Sequence, residues 1–386
     1  MSSAHDTTGV TRGMERMYFD FNATTPIAPE VAAAMQPLLG DAFGNPSSTH
    51  WAGRAGRLVL EAARSQVAEF IGAAPDEIVL TSGGSEASNL AIKGAFFAQR
   101  ERSAHIVTTA IEHPATLAPC RFLERLGGSV TVLPVDSAGL VDPDDVRRAI
   151  TVRTVLVTIM HANNEVGTLQ PIAEIARVAR EHGVLVHTDA AQSAGKIAVN
   201  VDELGVDLLS IAGHKFYAPK GIGALYVRRG VVLEPVIHGA GHEGGRRAGT
   251  ESILLAAGLG AACALSLTEA GRQTIADLRD RLWSGLQASF GERVLLNGHP
   301  TRRLPNTLNV SFIGCIGANI LARVPELAAS TGSACHAGHV ELSPVLRAMA
   351  IPPEAGMGAV RFSLGRTTTA GEVDRVLALL RERVSS

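Results

Sequence analysis

The 386-residue chain has no apolar stretch near the roughly 20 residues that a membrane-spanning helix requires, so it is not expected to cross a bilayer. It also lacks any run of basic residues. Formal net charge is −2 and charges of both signs are interspersed, which speaks against direct nucleic-acid binding. No Cys-x-x-Cys pair occurs. Cys120, Cys263, Cys315 and Cys335 stand far apart, a usage that suits a reducing cytoplasm better than a disulfide framework. Lysine is scarce, with only Lys93, Lys196, Lys215 and Lys220. The opening MSSAHDTTGVTRGMER has no apolar leader core and reads as a polar tail over residues 1–16. These absences leave a cytoplasmic, non-membrane protein as the expectation.

What is present is an ordinary globular composition, 46% hydrophobic and 19% charged. From about residue 60, apolar strand-like runs alternate with helical periodicity. Strands are expected at 77–83, 105–111, 129–135, 154–162, 184–190, 207–213 and 223–229. Helical spacing marks SEASNLAIKGAFFAQR, PDDVRRAI and IAEIARVAREHG between them. Near-continuous apolar strands separated by helices imply an α/β fold with a mostly parallel sheet covered on both faces. In such sheets ligands bind beyond the C-terminal strand ends. After the Gly-rich HGAGHEGGRRAGT the character changes, with one long helix expected from about Ser252 to Phe290. The reading is a large domain over 26–254 and a smaller α+β domain made of 17–25 and 255–386.

Several residues suggest chemistry by type and place. A carbonyl cofactor such as pyridoxal phosphate needs a lysine to hold it, an acid against its ring nitrogen and a cradle for its phosphate, with an arginine for the substrate carboxylate. Lys215, in SIAGHKFYAPKGIG, directly follows an expected strand, although a lone loop lysine also reads as a surface residue. Lys93 and Lys196 read as solvated. Asp189 ends the strand VLVHTDA, where it would face the crevice or serve as a helix cap, and Gln192 follows three residues later. The turn TSGGSEASN brings Gly84 and Ser85 to a helix start, where free N–H groups favour a phosphate, or where Ser85 is a plain N-cap. Cys335 lies among small residues in STGSACHAGHVELS, in a stretch with turn character that reads as a mobile loop, and should be accessible. The other three cysteines lie in apolar or helical contexts. Cys335, His336 and His339 suggest a metal only weakly, since no second ligand group stands near, and no metal centre is expected.

These motifs come in an order that is itself informative. YFDFNATTP, GNPSSTHWAGR, TSGGSEASNLAIKG, IEHPA, HANNEVGTLQPI, HTDAAQ, GHKFYAPKGIGALYVR, RRAGTES, LPNTLNVSF, GSACHAG and RFSLGRTT run from Tyr18 toward the C-terminus. The chain thereby resembles the cysteine desulfurases of the NifS/IscS type, class V aminotransferases of PLP-dependent fold type I. The resemblance implies pyridoxal 5'-phosphate on Lys215, with Gly84, Ser85 and His214 at the phosphate and Thr250 reaching the phosphate of a neighbouring subunit in a homodimer. It places His113 on the cofactor ring and in proton transfer, Asp189 at the ring nitrogen, and Asn164 and Gln192 near the phenolate oxygen. Arg361, with Asn45, would bind the carboxylate of L-cysteine. Cys335 would take the sulfur as a persulfide for a sulfur-acceptor protein, as in iron–sulfur cluster assembly.

The chain also departs from the pattern. Ala212 stands where a phosphate-binding serine is common, Gly84-Ser85 replaces Ala-Thr, Phe21-Asn22 replaces a polar-small pair, His242 replaces a glutamine and Leu342 a proline. Alternative readings are another class V enzyme, a selenocysteine lyase or an aminotransferase, and an inactive sulfur-carrier scaffold on the same fold.

Overall fold

Seven short runs rich in Val, Ile, Leu and Thr form the central sheet: β1 Ile78–Thr81, β2 His105–Thr109, β3 Ser129–Leu133, β4 Thr154–Thr158, β5 Leu185–Asp189, β6 Leu208–Ala212 and β7 Gly223–Val227. Each falls inside the run expected from sequence. The structure, a computed structural model, describes residues 16–40, 43–99, 104–268, 272–331, 335–336 and 339–384. The expected tail over 1–16 lies outside these residues except for Arg16.

The strand order is β1-β7-β6-β5-β4-β2-β3. Strands β3, β2, β4, β5 and β6 are mutually parallel, while β7 runs antiparallel to both β6 and β1. Alternation decides which side chain packs where. Ile78, Val107, Val157, Val186 and Leu209 join one core, with the helices α1 Trp51–Ile71 and α2 Ile172–Glu181. Their neighbours Val79, Ile106, Leu156, Leu185 and Leu208 pack on the opposite face with α3 Gly84–Ala98 and α4 Pro114–Arg125. A period of two feeding two apolar layers explains why β2, β4 and β6 are buried throughout, whereas edge strand β3 buries only Leu133.

A second, antiparallel sheet carries the C-terminal part: β8 Val294–Asn297, β9 Thr307–Phe312, β10 Ser330–Thr331 and β13 Ala359–Ser363, ordered β10-β13-β9-β8. Between them, β11 Cys335–His336 and β12 His339–Val340 form a small ladder. The core of this unit joins Met17, Phe19, Leu282, Val310, Phe362 and Val376.

One expectation is corrected. The single helix from Ser252 to Phe290 is two, α5 Ile253–Leu267 and α6 Arg272–Phe290. Ala256, Leu259, Ala262 and Cys263 of α5 belong to the larger core. The helix is apolar enough on all sides to be sandwiched, which is why composition alone assigns it to neither unit.

Buried under the sheet's C-terminal end, His187 has no exposure; its Nδ1 faces the Thr158 hydroxyl at 2.8 Å and its Nε2 the Ser210 hydroxyl at 2.9 Å. Burial pushes its pKa down to about 3. The folded chain therefore holds the neutral ring while the unfolded chain protonates near pH 6.5, so this group's contribution is full above about pH 6.5 and is lost as pH falls, at about 1.4 kcal/mol per unit. In urea unfolding, the stability advantage of wild type over His187→Gln should shrink by about 2 kcal/mol between pH 7.5 and 5.0. A pH-independent difference would contradict the assignment.

Candidate active site

Between β2 and β4 the chain order of the parallel strands reverses direction, and a crevice opens there beyond their C-terminal ends. Four strands deliver their next residues into it: β2 leads to His113, β4 to Met160 and Asn164, β5 to Asp189 and Gln192, and β6 to His214 and Lys215. Together with Gly84, Ser85 and Arg361 they line a cavity of about 420 Å³.

β1 passes through Gly83 into α3. Gly83 is the N-cap and no side chain caps the helix, so the α3 start is left with free N–H groups at the cavity. Ser85 is inside the first turn and is not the N-cap. A Cβ on Gly84 would sit 3.0 Å from the Ala212 Cβ, so small residues at both positions keep the cradle open. His214 turns its Nδ1 to the Thr24 hydroxyl at 3.2 Å. Desolvation, with Lys215 and Lys220 nearby, pushes its pKa down to about 4, so it is a neutral hydrogen-bonding group at physiological pH. Uncapped amides and a neutral histidine fit a phosphate without adding a full charge of their own.

Asp189 is buried, and its Oδ1 accepts from the Ala191 N–H at 2.9 Å. Burial raises its pKa, with His113 and Lys215 pulling the other way. A cationic ring nitrogen is the partner that would hold it ionised. His113 caps α4 by accepting from the Ala115 N–H through Nδ1 at 3.0 Å, which assigns the ring proton to Nε2. Desolvation lowers its pKa, so it is a neutral ring. Behind Asp189, Glu112 accepts from the Thr109 hydroxyl at 2.6 Å and from the Met160 N–H at 3.0 Å, and burial pushes it up to about 8.

Lys215 donates to the carbonyls of Asn22 at 2.9 Å and Ala23 at 2.8 Å. Desolvation first, then Arg361, lowers its pKa to about 8, against Asp189 and Asp20. Arg361 arrives from β13 in the second sheet. Its Nη2 pairs with Asp20 at 2.7 Å and its Nη1 donates to the Asn164 carbonyl at 2.9 Å, while Nε is buried without a partner among the described residues. A buried guanidinium with an unused donor is a site for an arriving carboxylate. The cavity, the uncapped helix and this donor together fit pyridoxal phosphate carrying an amino acid.

The structure brings together Gly84, Ser85, His113, Asn164, Asp189, Gln192, His214, Lys215 and Arg361. It does not bring Asn45 or Thr250 there. Asn45 is exposed and accepts from the Ser47 N–H, and Thr250 lines a separate cleft with Arg247 and Ser82. The Cys335 backbone pairs with Val340, but its side chain and those of His336 and His339 lie outside the described residues. Cys120 and Cys263 are buried, and burial raises both thiols, Cys120 to about 12, so neither supplies a ready thiolate.

Sequence reasoning misplaced Lys196 and undervalued Asn22. Lys196 is not solvated: it is partly buried beside Gln192. Gln192 itself is buried in a turn. Asn22 is 1% exposed and joins Lys215, Gln192, Lys196, Asn306, Thr307 and Asn164. The other departures are structural. Phe21 packs edge-on to Tyr18 at 4.9 Å, and His242 faces Glu251 at 3.0 Å.

Residues 17–376 match the family described as aminotransferase class-V. Over 372 residues the chain is 47% identical to cysteine desulfurase IscS of Dictyoglomus turgidum, covering 95% of this chain and 94% of the relative. Among solved structures it superposes on a NifS-like protein with a TM-score of 0.89 at 36% identity, over 96% of this chain and 99% of the other. It also superposes on SspA in complex with cysteine, with a TM-score of 0.82 at 39% identity, over 91% and 99%.

Proposed function

The chain belongs to the aminotransferase class-V family, and from that premise we propose that it is a pyridoxal-phosphate-dependent cysteine desulfurase, converting L-cysteine to L-alanine and passing the sulfur to Cys335. The observation that carries this reading is the convergence of Lys215, Asp189, His113 and Arg361 on one cavity from two separate sheets. When bound, the cofactor supplies an electron sink for the bond broken at the substrate α-carbon.

The residues divide the remaining work. Uncapped amides of α3, with Ser85 and His214, hold the phosphate. Asp189 keeps the ring nitrogen protonated and is itself kept ionised by that charge. Arg361 takes the substrate carboxylate, using the Nε that is buried without a partner among the described residues. The Asn22 and Ala23 carbonyls give the freed Lys215 amine a fixed place. With its pKa lowered to about 8, a useful fraction of that amine is neutral and accepts the α-proton. Neutral His113 moves a proton through Nε2. At Cys335 the thiolate forms an S–S bond to the substrate sulfur as the substrate C–S bond breaks; the electron pair stays with the carbon fragment, which takes up a proton at that carbon and leaves as alanine.

A homodimer completes the reading, with Thr250 serving the partner's phosphate site; its place in a separate cleft is consistent with that role. A sulfur-acceptor protein receives the persulfide, as in iron–sulfur cluster assembly. Among the described residues no helix is long and apolar enough to cross a membrane.

Turnover tests the assignment. Purified protein given L-cysteine and a thiol reductant should form alanine and sulfide in equal amounts. Pyruvate formation, or turnover of L-selenocysteine alone, would replace the assignment with another class V reaction.

A further inference from the structure

Lys196 has no role in the chemistry described above, yet it bonds two residues that line the cavity, Asn22 and Gln192. Its Nζ lies 2.8 Å from Asn22 Oδ1 and 2.5 Å from Gln192 Oε1. Among the described residues it forms no ion pair, and the charged groups acting on it, Lys215 and Arg361, are both cations. A desolvated amine beside two cations and without a carboxylate contributes poorly to stability as a charge. Its placement calls for another explanation.

The explanation lies in the amide it touches. The two ends of a glutamine amide have nearly the same shape and differ only in donating or accepting. Lys196 donates to Oε1, and the Asn22 carbonyl accepts from Nε2 at 3.0 Å. While protonated the amine can only donate, so reversing the amide would set its NH2 against the amine and its oxygen against a carbonyl, losing two bonds and creating two repulsions. Asn22 is held in turn: Oδ1 also accepts from Asn306 at 3.0 Å, and Nδ2 donates to the Thr307 hydroxyl at 2.9 Å. The amine keeps two N–H groups even when neutral, so both contacts survive its deprotonation. The second N–H of Gln192 is left for the cavity that Gln192 lines.

We propose that Lys196 is a positioning residue that locks the Gln192 amide with its nitrogen toward the cofactor's ring oxygen. The inference rests on the reading that Gln192 faces that oxygen, and it goes further by naming what determines the amide's orientation. A donor on the ring oxygen favours the deprotonated form of the bound chromophore, so losing it moves the chromophore's apparent pKa upward.

The test is a pH titration of the absorbance of holoenzyme, without substrate, in four proteins: wild type, Lys196→Met, Gln192→Ala and the double variant. Lys196→Met should raise the apparent pKa by about 0.5 to 1 unit, the size of one hydrogen bond, and should change nothing further in the Gln192→Ala background. If Gln192→Ala shifts the titration and Lys196→Met does not, Lys196 does not orient the amide and the inference fails alone. Equal shifts by Lys196→Met in both backgrounds also overturn it, since Lys196 then acts by another route. If neither single variant moves the titration, the placement of Gln192 at the ring oxygen fails and takes the inference with it. Lys196→Leu replaces Lys196→Met should the latter not fold.

Discussion

Cys335→Ala protein should retain the absorbance of bound pyridoxal phosphate and release sulfide from L-cysteine roughly 10³-fold or more slowly than wild type, as expected for loss of a nucleophile. The two halves of the result are separable because the cofactor cavity and the cysteine segment are built by different parts of the chain. The cavity is lined by loops that follow the parallel strands, with Arg361 from β13. Cys335 lies on β11, beyond the β10 strand that pairs with β13 beside Arg361. The other cysteines cannot substitute. Cys120 and Cys263 are buried with raised thiol pKa values, and Cys315 sits in the smaller unit against its hydrophobic core. The measurement is sulfide formation in the presence of a thiol reductant, alongside the visible spectrum of each protein. Undiminished sulfide release would remove Cys335 from the reaction and favour a lyase that needs no protein thiol.

Lys215→Ala should be the more severe change: loss of covalently held cofactor and a fall in turnover of roughly 10⁴-fold or more, because in the proposed function one residue both anchors the cofactor and moves the α-proton. Its environment shows why no neighbour replaces it. Lys220 is exposed and lies outside the lining, while the Lys196 amine is committed to Asn22 and Gln192. Desolvation and Arg361 have already moved Lys215 toward neutrality. Added primary amines should restore a small part of the activity without restoring the covalent attachment. Apoprotein and holoprotein spectra, with single-turnover kinetics, check both halves of the prediction.

Much of this site was legible in the sequence because its parts follow strands. Asp189 ends a run whose apolar residues alternate between two cores, and Lys215 follows a strand of the same kind. A parallel sheet delivers such residues to one edge whatever lies between them. Local pattern was less informative where packing decided the outcome. Helix α5 has little amphipathic contrast, so only its contacts with the larger core reveal which unit it joins. Ser85 has the chemistry of an N-cap, but the helix begins one residue earlier at Gly84, with Gly83 as its cap.

Lys196 and Asn22 were hidden for a different reason. A lysine in a short turn reads as solvated, and only the fold brings it against an asparagine 174 positions away. The motif YFDFNATTP held the missing signal. Asn22 sits next to a chain segment that crosses from the small sheet to the large one, as the Phe21 N–H bond to Ser363 and the Thr25 N–H bond to His214 record. A polar residue at such a crossing has partners from both units, which no periodicity can show.

The central claim is that the cavity beyond β2, β4, β5 and β6 holds pyridoxal phosphate on Lys215. The most direct test is to reduce the holoprotein with borohydride, digest it and locate the pyridoxyl group by mass spectrometry. The account predicts the group on Lys215, in the peptide containing GHKFYAPK. Attachment to Lys196 or to any other lysine would contradict it, as would an unmodified digest from a protein saturated with cofactor.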